Sequence, residues 1–231
     1  MRRILLALSL SLLSLALGEN LSTLQTLIDQ GHFRQAYHLG LQLGGAQGYV
    51  FAAEGANDYA YYLAPADHKE AWYNRAAQAA QQAIHLDHQN AKAYFELAYA
   101  QGRLAQYRGI LSSLGLAPAV RNELQEALKL DPHYAPAWVA LALWNLELAQ
   151  KGVGWLFGAN IDQVIPDFEK AIALQPQRII HRVEYAGALI RMGQRQKALE
   201  ELQVALDLPA RTAIDRYEQE RARQLLQELK S

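Results

Sequence analysis

The sequence predicts an all-α solenoid of antiparallel helix pairs stacked side by side, on three observations. First, one phrase recurs: AIHLDH ending at His88, ALKLDP at Pro132, AIALQP at Pro176 and ALDLP at Pro209, at spacings of 44, 44 and 33 residues. Self-similarity at such a period marks units that cannot bury their apolar faces alone and must stack on their neighbours. Second, apolar residues recur at i, i+3, i+4 and i+7 on both sides of the second phrase. Leu124, Ala127 and Leu128 precede the Asp131-Pro132 turn, and Trp138, Leu141, Ala142 and Leu148 follow it, with Asn145 in the same stripe. Third, Pro132 has no N–H and its ring collides with the preceding turn, so the phrase is a helix end and its turn.

The chain begins with Arg2 and Arg3, an apolar and serine run from Ile4 to Leu17, and a small-x-small site at Ala16-Leu17-Gly18. That order predicts a secretory signal over 1–18, cleaved after Gly18, and a single domain over 19–231. The run is shorter than the about 20 residues of a comfortable membrane span. An uncleaved N-terminal anchor is the alternative; a lipoprotein is excluded because no cysteine follows. The expected location is periplasmic or extracellular, with no membrane span after cleavage.

The units fall at about 20–45, 46–88, 89–132, 133–176 and 177–209, with a cap at 212–230. In the first, Gly31, Phe33 and Ala36 stand where Gly193, Arg195 and Ala198 stand in the fifth. Gly44-Gly45-Ala46-Gln47-Gly48 then reads as a helix-stopping loop. It is no phosphate cradle, since no Lys-Ser/Thr follows and no strand precedes. In the second unit, helices are expected over Tyr49 to Leu63 and Lys69 to Leu86, with Asp67 as N-cap. Tyr59, Tyr61 and Tyr62 form either an aromatic patch on a binding surface or packing between units.

The third and fourth units carry about ten extra residues each between their helices, around 105–117 and 150–162. Ile110, Leu111, Leu114 and Leu116 stand in one addition, Val153, Trp155, Leu156 and Phe157 in the other. Equivalent positions in adjacent repeats should bring both onto one edge of the solenoid.

The fifth unit settles which solenoid this is. Ala186, Gly193, Ala198 and Ala205 stand at the spacing of a tetratricopeptide repeat, whose period is roughly 34 residues. Small side chains there let two helices approach closely, and Gly193 suits a left-handed helix end. HEAT repeats fit the spacing of 44 but not this small-residue pattern. The chain thus resembles the tetratricopeptide repeat family, expected as a right-handed superhelix. With the two additions, the closing Leu206–Asp215 phrase and a final helix, the region from about Tyr49 to Lys230 resembles the repeat domain of the regulator of microtubule dynamics family. The resemblance implies an irregular tetratricopeptide superhelix used for protein association, without catalytic residues; the name carries no activity over to an exported chain. The last segment, amphipathic through Tyr217, Leu225, Leu226 and Leu229, with Thr212 or Asp215 to cap its start, covers the last apolar face.

In tetratricopeptide proteins the first helix of each pair lines a concave groove. Carried onto this sequence, the ligand-facing positions are Lys92, Phe95, Tyr99 and Arg103; Pro136, Val139, Leu143 and Glu147; and Ile180, Val183, Gly187 and Arg191. The lysines and asparagines that clamp a peptide's terminal carboxylate in some members are reduced here to Lys92 and two arginines. The rest is apolar and aromatic, which suits a hydrophobic peptide or helix. Alternatively the chain's own first unit or its additions cover part of this face.

Composition bounds the partners. Without Arg2 and Arg3 the formal charge goes from −1 to −3, mixed along the chain, with no basic stripe for nucleic acid and no polybasic run for anionic lipid. The chain contains no cysteine, which excludes a disulfide framework, thiol chemistry and cysteine zinc sites. His85-Leu86-Asp87-His88 is the only histidine cluster and lacks a third ligand for a metal. No nucleophile elbow, HExxH or dinucleotide fingerprint is present. The expected function is an exported interaction module binding another protein or peptide, with no cofactor. Its contact residues are the groove set (Lys92, Phe95, Tyr99, Arg103, Val139, Leu143, Glu147, Arg191) and the edge set (Ile110, Leu111, Trp155, Leu156, Phe157). A binder of a small apolar or amphipathic solute is the alternative: an open trough would favour the peptide, a sealed cavity lined by Tyr94, Phe95, Tyr99, Val139 and Leu143 the solute.

Overall fold

The protein is described here from a computed structural model covering residues 18, 20–109 and 111–230; of residues 111 and 112 only the backbone is described. The signal segment thus lies outside the described residues except for Gly18. The described residues hold helices and no strand. Helix α1 spans 20–30. It is followed by α2 (Phe33–Leu43), α3 (Gly45–Asp58), α4 (Ala66–Leu86), α5 (Ala91–Arg108), α6 (Ala117–Leu130) and α7 (Ala135–Gln150). Then come the short α8 (Gly154–Phe157), α9 (Val164–Leu174), α10 (Ile179–Arg191), α11 (Arg195–Asp207) and α12 (Ala213–Lys230). The pairs α1/α2, α3/α4, α5/α6, α7/α9 and α10/α11 are the five units, and none of the described helices is long and apolar enough to cross a membrane.

Within pairs, the turns follow from glycine. Gly31, Gly152 and Gly193 all have positive φ, between 71° and 83°. After each, the next N–H donates back to a carbonyl five residues earlier: His32 to Leu27, Val153 to Leu148, Gln194 to Leu189. This closes the helix end in the left-handed conformation that glycine adopts without a Cβ clash. Between pairs, aspartate shapes the turn. Asp87 and Asp131 each turn a side-chain oxygen onto an N–H two residues ahead, at 3.0 and 2.9 Å, so the recurring phrase is one local structure used repeatedly. Ala186, Ala198 and Ala205 are wholly buried, as close helix approach requires.

Three local expectations need correction. Only Gly44 interrupts the chain between α2 and α3; Gly45 to Gly48 already belong to α3. The reason is packing: a Cβ on Gly40 would lie 2.5 Å from the Gly48 carbonyl, and one on Gly55 would lie 2.6 Å from that of Phe33. These glycines let two helices touch backbone to backbone. Next, α3 does not run to Leu63 as a regular helix, because Tyr59–Leu63 forms a π-turn. Lastly, Pro65 rather than Asp67 occupies the N-cap of α4, and Asp67 sits within the first turn. At α12 the expected cap is present and reciprocal. Asp215 accepts from the Thr212 N–H at 2.9 Å while the Thr212 hydroxyl accepts from the Asp215 N–H at 3.1 Å.

Helix α12 covers the last pair and also reaches the first. Ile214 and Tyr217 pack with Leu24, Ile28 and Phe33, and Tyr62 stacks between Tyr217 (5.1 Å) and Phe33 (6.1 Å). The two ends of the solenoid therefore meet. Of the two readings of the tyrosine cluster, packing between units describes these contacts, although the units joined are distant in sequence.

Candidate functional site

Because the ends meet, the concave face is a bounded pocket. It holds about 1420 Å³ of space, part of it open to solvent. Six of the eight expected groove residues line it: Phe95, Tyr99, Arg103, Val139, Leu143 and Glu147. Pro136 and Ile180 join them, whereas Val183 is wholly buried in the core and Gly187 faces the Arg221 guanidinium. Tyr94 is correspondingly misplaced as a wall residue; it packs into the cluster around Trp144 and Leu148.

Each charged groove position is engaged within the chain. Lys92 lies 2.6 Å from Glu54, a pocket residue, and over the ring of Phe51, without itself lining the pocket. Arg191 contacts Glu147 at 2.6 Å and the Gln150 side chain at 2.9 Å at the solenoid's edge. Arg103 is held between the rings of Tyr61 and Tyr99, at 4.3 and 4.9 Å, and reaches Glu184 at 3.5 Å. Glu184 also accepts from Arg221 at 2.9 Å, and Arg221 donates to Glu218 at 3.1 Å. The Tyr62 hydroxyl completes this brace by donating to Glu218 at 2.7 Å. Burial alone would raise the Glu184 pKa, but Arg221 and Arg103 outweigh it and hold the carboxyl below its usual range. Glu218 is wholly buried, and burial, opposed by Arg221, pushes it up to about 7.

A second buried polar group sits where α3 meets α5. The Asn57 amide donates to the Glu96 carbonyl at 3.1 Å and to its carboxylate at 2.8 Å. Asp58 and Glu54 stand on the same helix. Burial, then the neighbouring Glu54, pushes Glu96 up to about 8; burial, Glu54 and Glu96 raise Asp58 well above the usual range, against the opposing field of Arg178. His181, nearby on α10, is depressed to about 3 by burial and Arg178, and so stays neutral. Among the described residues no group of three histidine, aspartate or glutamate side chains is arranged to hold a metal ion. Sequence reasoning missed this cluster: Asn57 and Asp58 follow a run of small residues and carry no motif.

The additions form short helices. Leu111–Leu116 is a 3₁₀ segment, and Ile110 with the side chain of Leu111 lies outside the described residues. In the second addition the three expected contact residues divide. Trp155 is 80% exposed and Leu156 53%. Phe157 instead turns inward onto the cluster around Trp144, and its carbonyl accepts from Arg121 at 2.8 Å. The buried Asn145 accepts the Asn160 N–H at 2.8 Å, so α8 is pinned on both sides.

Helix pairs with glycine stops, small-residue crossings and a capping helix define a tetratricopeptide-type solenoid. The sequence matches the family described as Regulator of microtubule dynamics protein 1-3 over residues 52–230, and the chain belongs to that family. A search of curated proteins finds no match. Among solved structures, the thermophilic TPR protein TTC0263 of Thermus thermophilus superposes with a TM-score of 0.66 at 17% identity, over 90% of this chain and 98% of that one. MamA follows with a TM-score of 0.47 at 20% identity, over 77% of this chain and 88% of that one. YrrB, described as a TPR protein with an unusual peptide-binding site, has a TM-score of 0.42 at 18% identity, over 89% and 90%. The fold assignment rests on TTC0263.

Proposed function

We propose that this chain is an exported interaction module that docks another protein or peptide along the edge carrying Trp155 and Leu156. The observation that carries the reading is the 80% exposure of Trp155 on a helix held fixed by Arg121, Asn145 and the inward Phe157. A rigidly presented tryptophan is the kind of anchor on which interface energy concentrates. No catalytic step or cofactor belongs to this reading. Export is supported by the basic, apolar and small-residue order of Met1 to Gly18. To test docking, the mature chain and its Trp155→Ser/Leu156→Ser variant are used to capture partners from the native envelope fraction. A protein retained by the first and lost by the second, at unchanged melting temperature, is the expected result; identical captures contradict the reading. N-terminal sequencing of the native chain tests export, with a start at Glu19 expected and a membrane-bound chain starting at Met1 pointing to the anchor.

One observation favours a second reading, a small amphipathic solute held on the concave face. Arg103 with Glu184, and Tyr62 with Glu218, bridge distant units, so the face is a bounded pocket rather than a trough running past all five units. A folded helix or long peptide would have to break that brace, whereas a small solute fits beside it.

A further inference from the structure

The pocket has an apolar wall and a polar end, and the polar end is incompletely bonded. Asn57 is 1% exposed, and its amide nitrogen is fixed toward Glu96 by two hydrogen bonds, so its oxygen must point elsewhere. That oxygen has no partner, and neither does the enclosed Oδ2 of Asp58; both residues line the pocket. Buried polar groups are nearly always hydrogen-bonded, because an unmet acceptor costs its full desolvation. The Asn57 oxygen accepts, and so does the Asp58 oxygen when that carboxyl is ionised, so one donating group satisfies both.

Charge points the same way. Three carboxyl groups, Glu54, Asp58 and Glu96, gather here with two cations, Lys92 and Arg178. Lys92 is committed to Glu54 at 2.6 Å. Arg178 stands on the pocket wall, near enough to act on Asp58 through its field. The neutral His181 adds no charge. One negative charge is left over if all three acids ionise. Burial and the mutual repulsion of the carboxyl groups raise the proton affinities of Asp58 and Glu96, a cost that a cation placed among them would offset. A primary ammonium supplies that charge and three donors with no acceptor. Beyond the polar end lie Phe95, Tyr99, Val139 and Leu143, a wall for a hydrocarbon chain.

We propose that the pocket end formed by Glu54, Asn57, Asp58 and Glu96 binds the ammonium group of an amphipathic organic amine, whose apolar body lies along Phe95, Tyr99, Val139 and Leu143. This rests on the solute reading of the pocket and adds the head group's charge to it. The test is calorimetric titration of the mature chain at pH 7 with n-octylammonium, n-octanol and n-octanoate. Octylammonium binds at least about tenfold more tightly than the other two, the worth of one charge-assisted hydrogen bond. Asp58→Asn, which preserves shape, abolishes that preference. Octanol or octanoate binding as tightly as octylammonium overturns the ammonium site and leaves the solute reading standing. Octanoate binding most tightly assigns the head group to Arg178 instead, again against the proposal. Absence of binding by all three removes the solute reading and this inference with it.

Discussion

Two buried ionic groups face the same pocket, and they are built oppositely. In the brace, Arg103 and Arg221 converge on Glu184, and Arg221 with Tyr62 meets Glu218; every carboxylate finds a donor. In the cluster of Glu54, Asn57, Asp58 and Glu96, two acceptors are left without a donor. The brace joins the third unit to the fifth and to the capping helix, and so sets the solenoid's shape. The cluster joins α3 of the second unit to α5 of the adjacent third unit, residues 39 apart in sequence, and does not span the solenoid. A complete network thus closes this fold, and an incomplete one faces the space so closed.

That contrast can be broken first at Glu184. Replacing it with Leu strips two partly buried guanidinium groups of their shared partner, and denaturant titration should show a loss of up to about 3 kcal/mol. The second test uses pH. Glu96 is raised from 4.5 to about 8, so its contribution favours the fold at low pH and is lost as pH rises through that window. Glu184 is lowered, so its contribution is present at neutral pH and lost only as pH falls through the folded value. Comparing wild type with Glu96→Gln between pH 5 and 8, the wild type should lose stability relative to the variant by at most about 1.4 kcal/mol per pH unit. Glu184→Gln should show no such loss on that side. Third, Tyr62→Phe removes one hydroxyl from Glu218 and keeps the ring stack, for about 1 kcal/mol in melting experiments. Smallest, Arg191→Ala breaks a half-exposed pair with Glu147 at the solenoid's edge, and a shift below about 0.5 kcal/mol is expected because solvent screens it.

How much of this the sequence showed depends on the range of the interaction. Gly193, Ala198 and Ala205 act within one helix pair, and their spacing revealed the repeat. The Asp131-Pro132 turn is equally local. Gly44 to Gly48 misled because a glycine run signals a loop by propensity, whereas Gly40, Gly48 and Gly55 serve helix contact that only the partner helix reveals. Longer-range relations left no pattern. Glu218 lies among the charges of α12 and looks solvated until Tyr62, 156 residues away, is placed against it. Arg103 is an expected groove position by its place in the repeat and lines the pocket, but its partner Glu184 comes from another unit. Trp155 and Phe157 stand two residues apart in one apolar run, and only the packing around Trp144 and Arg121 decides which turns inward.

Closure of the solenoid by its own ends is what bounds the pocket. The stack of Tyr62 on Tyr217 tests it most directly, through a double-mutant cycle of Tyr62→Leu and Tyr217→Leu read by denaturant unfolding. Coupling of about 0.5–1.5 kcal/mol beyond the sum of the single effects is predicted for stacked rings. Strictly additive effects would mean that the ends do not meet, and that the concave face is an open trough.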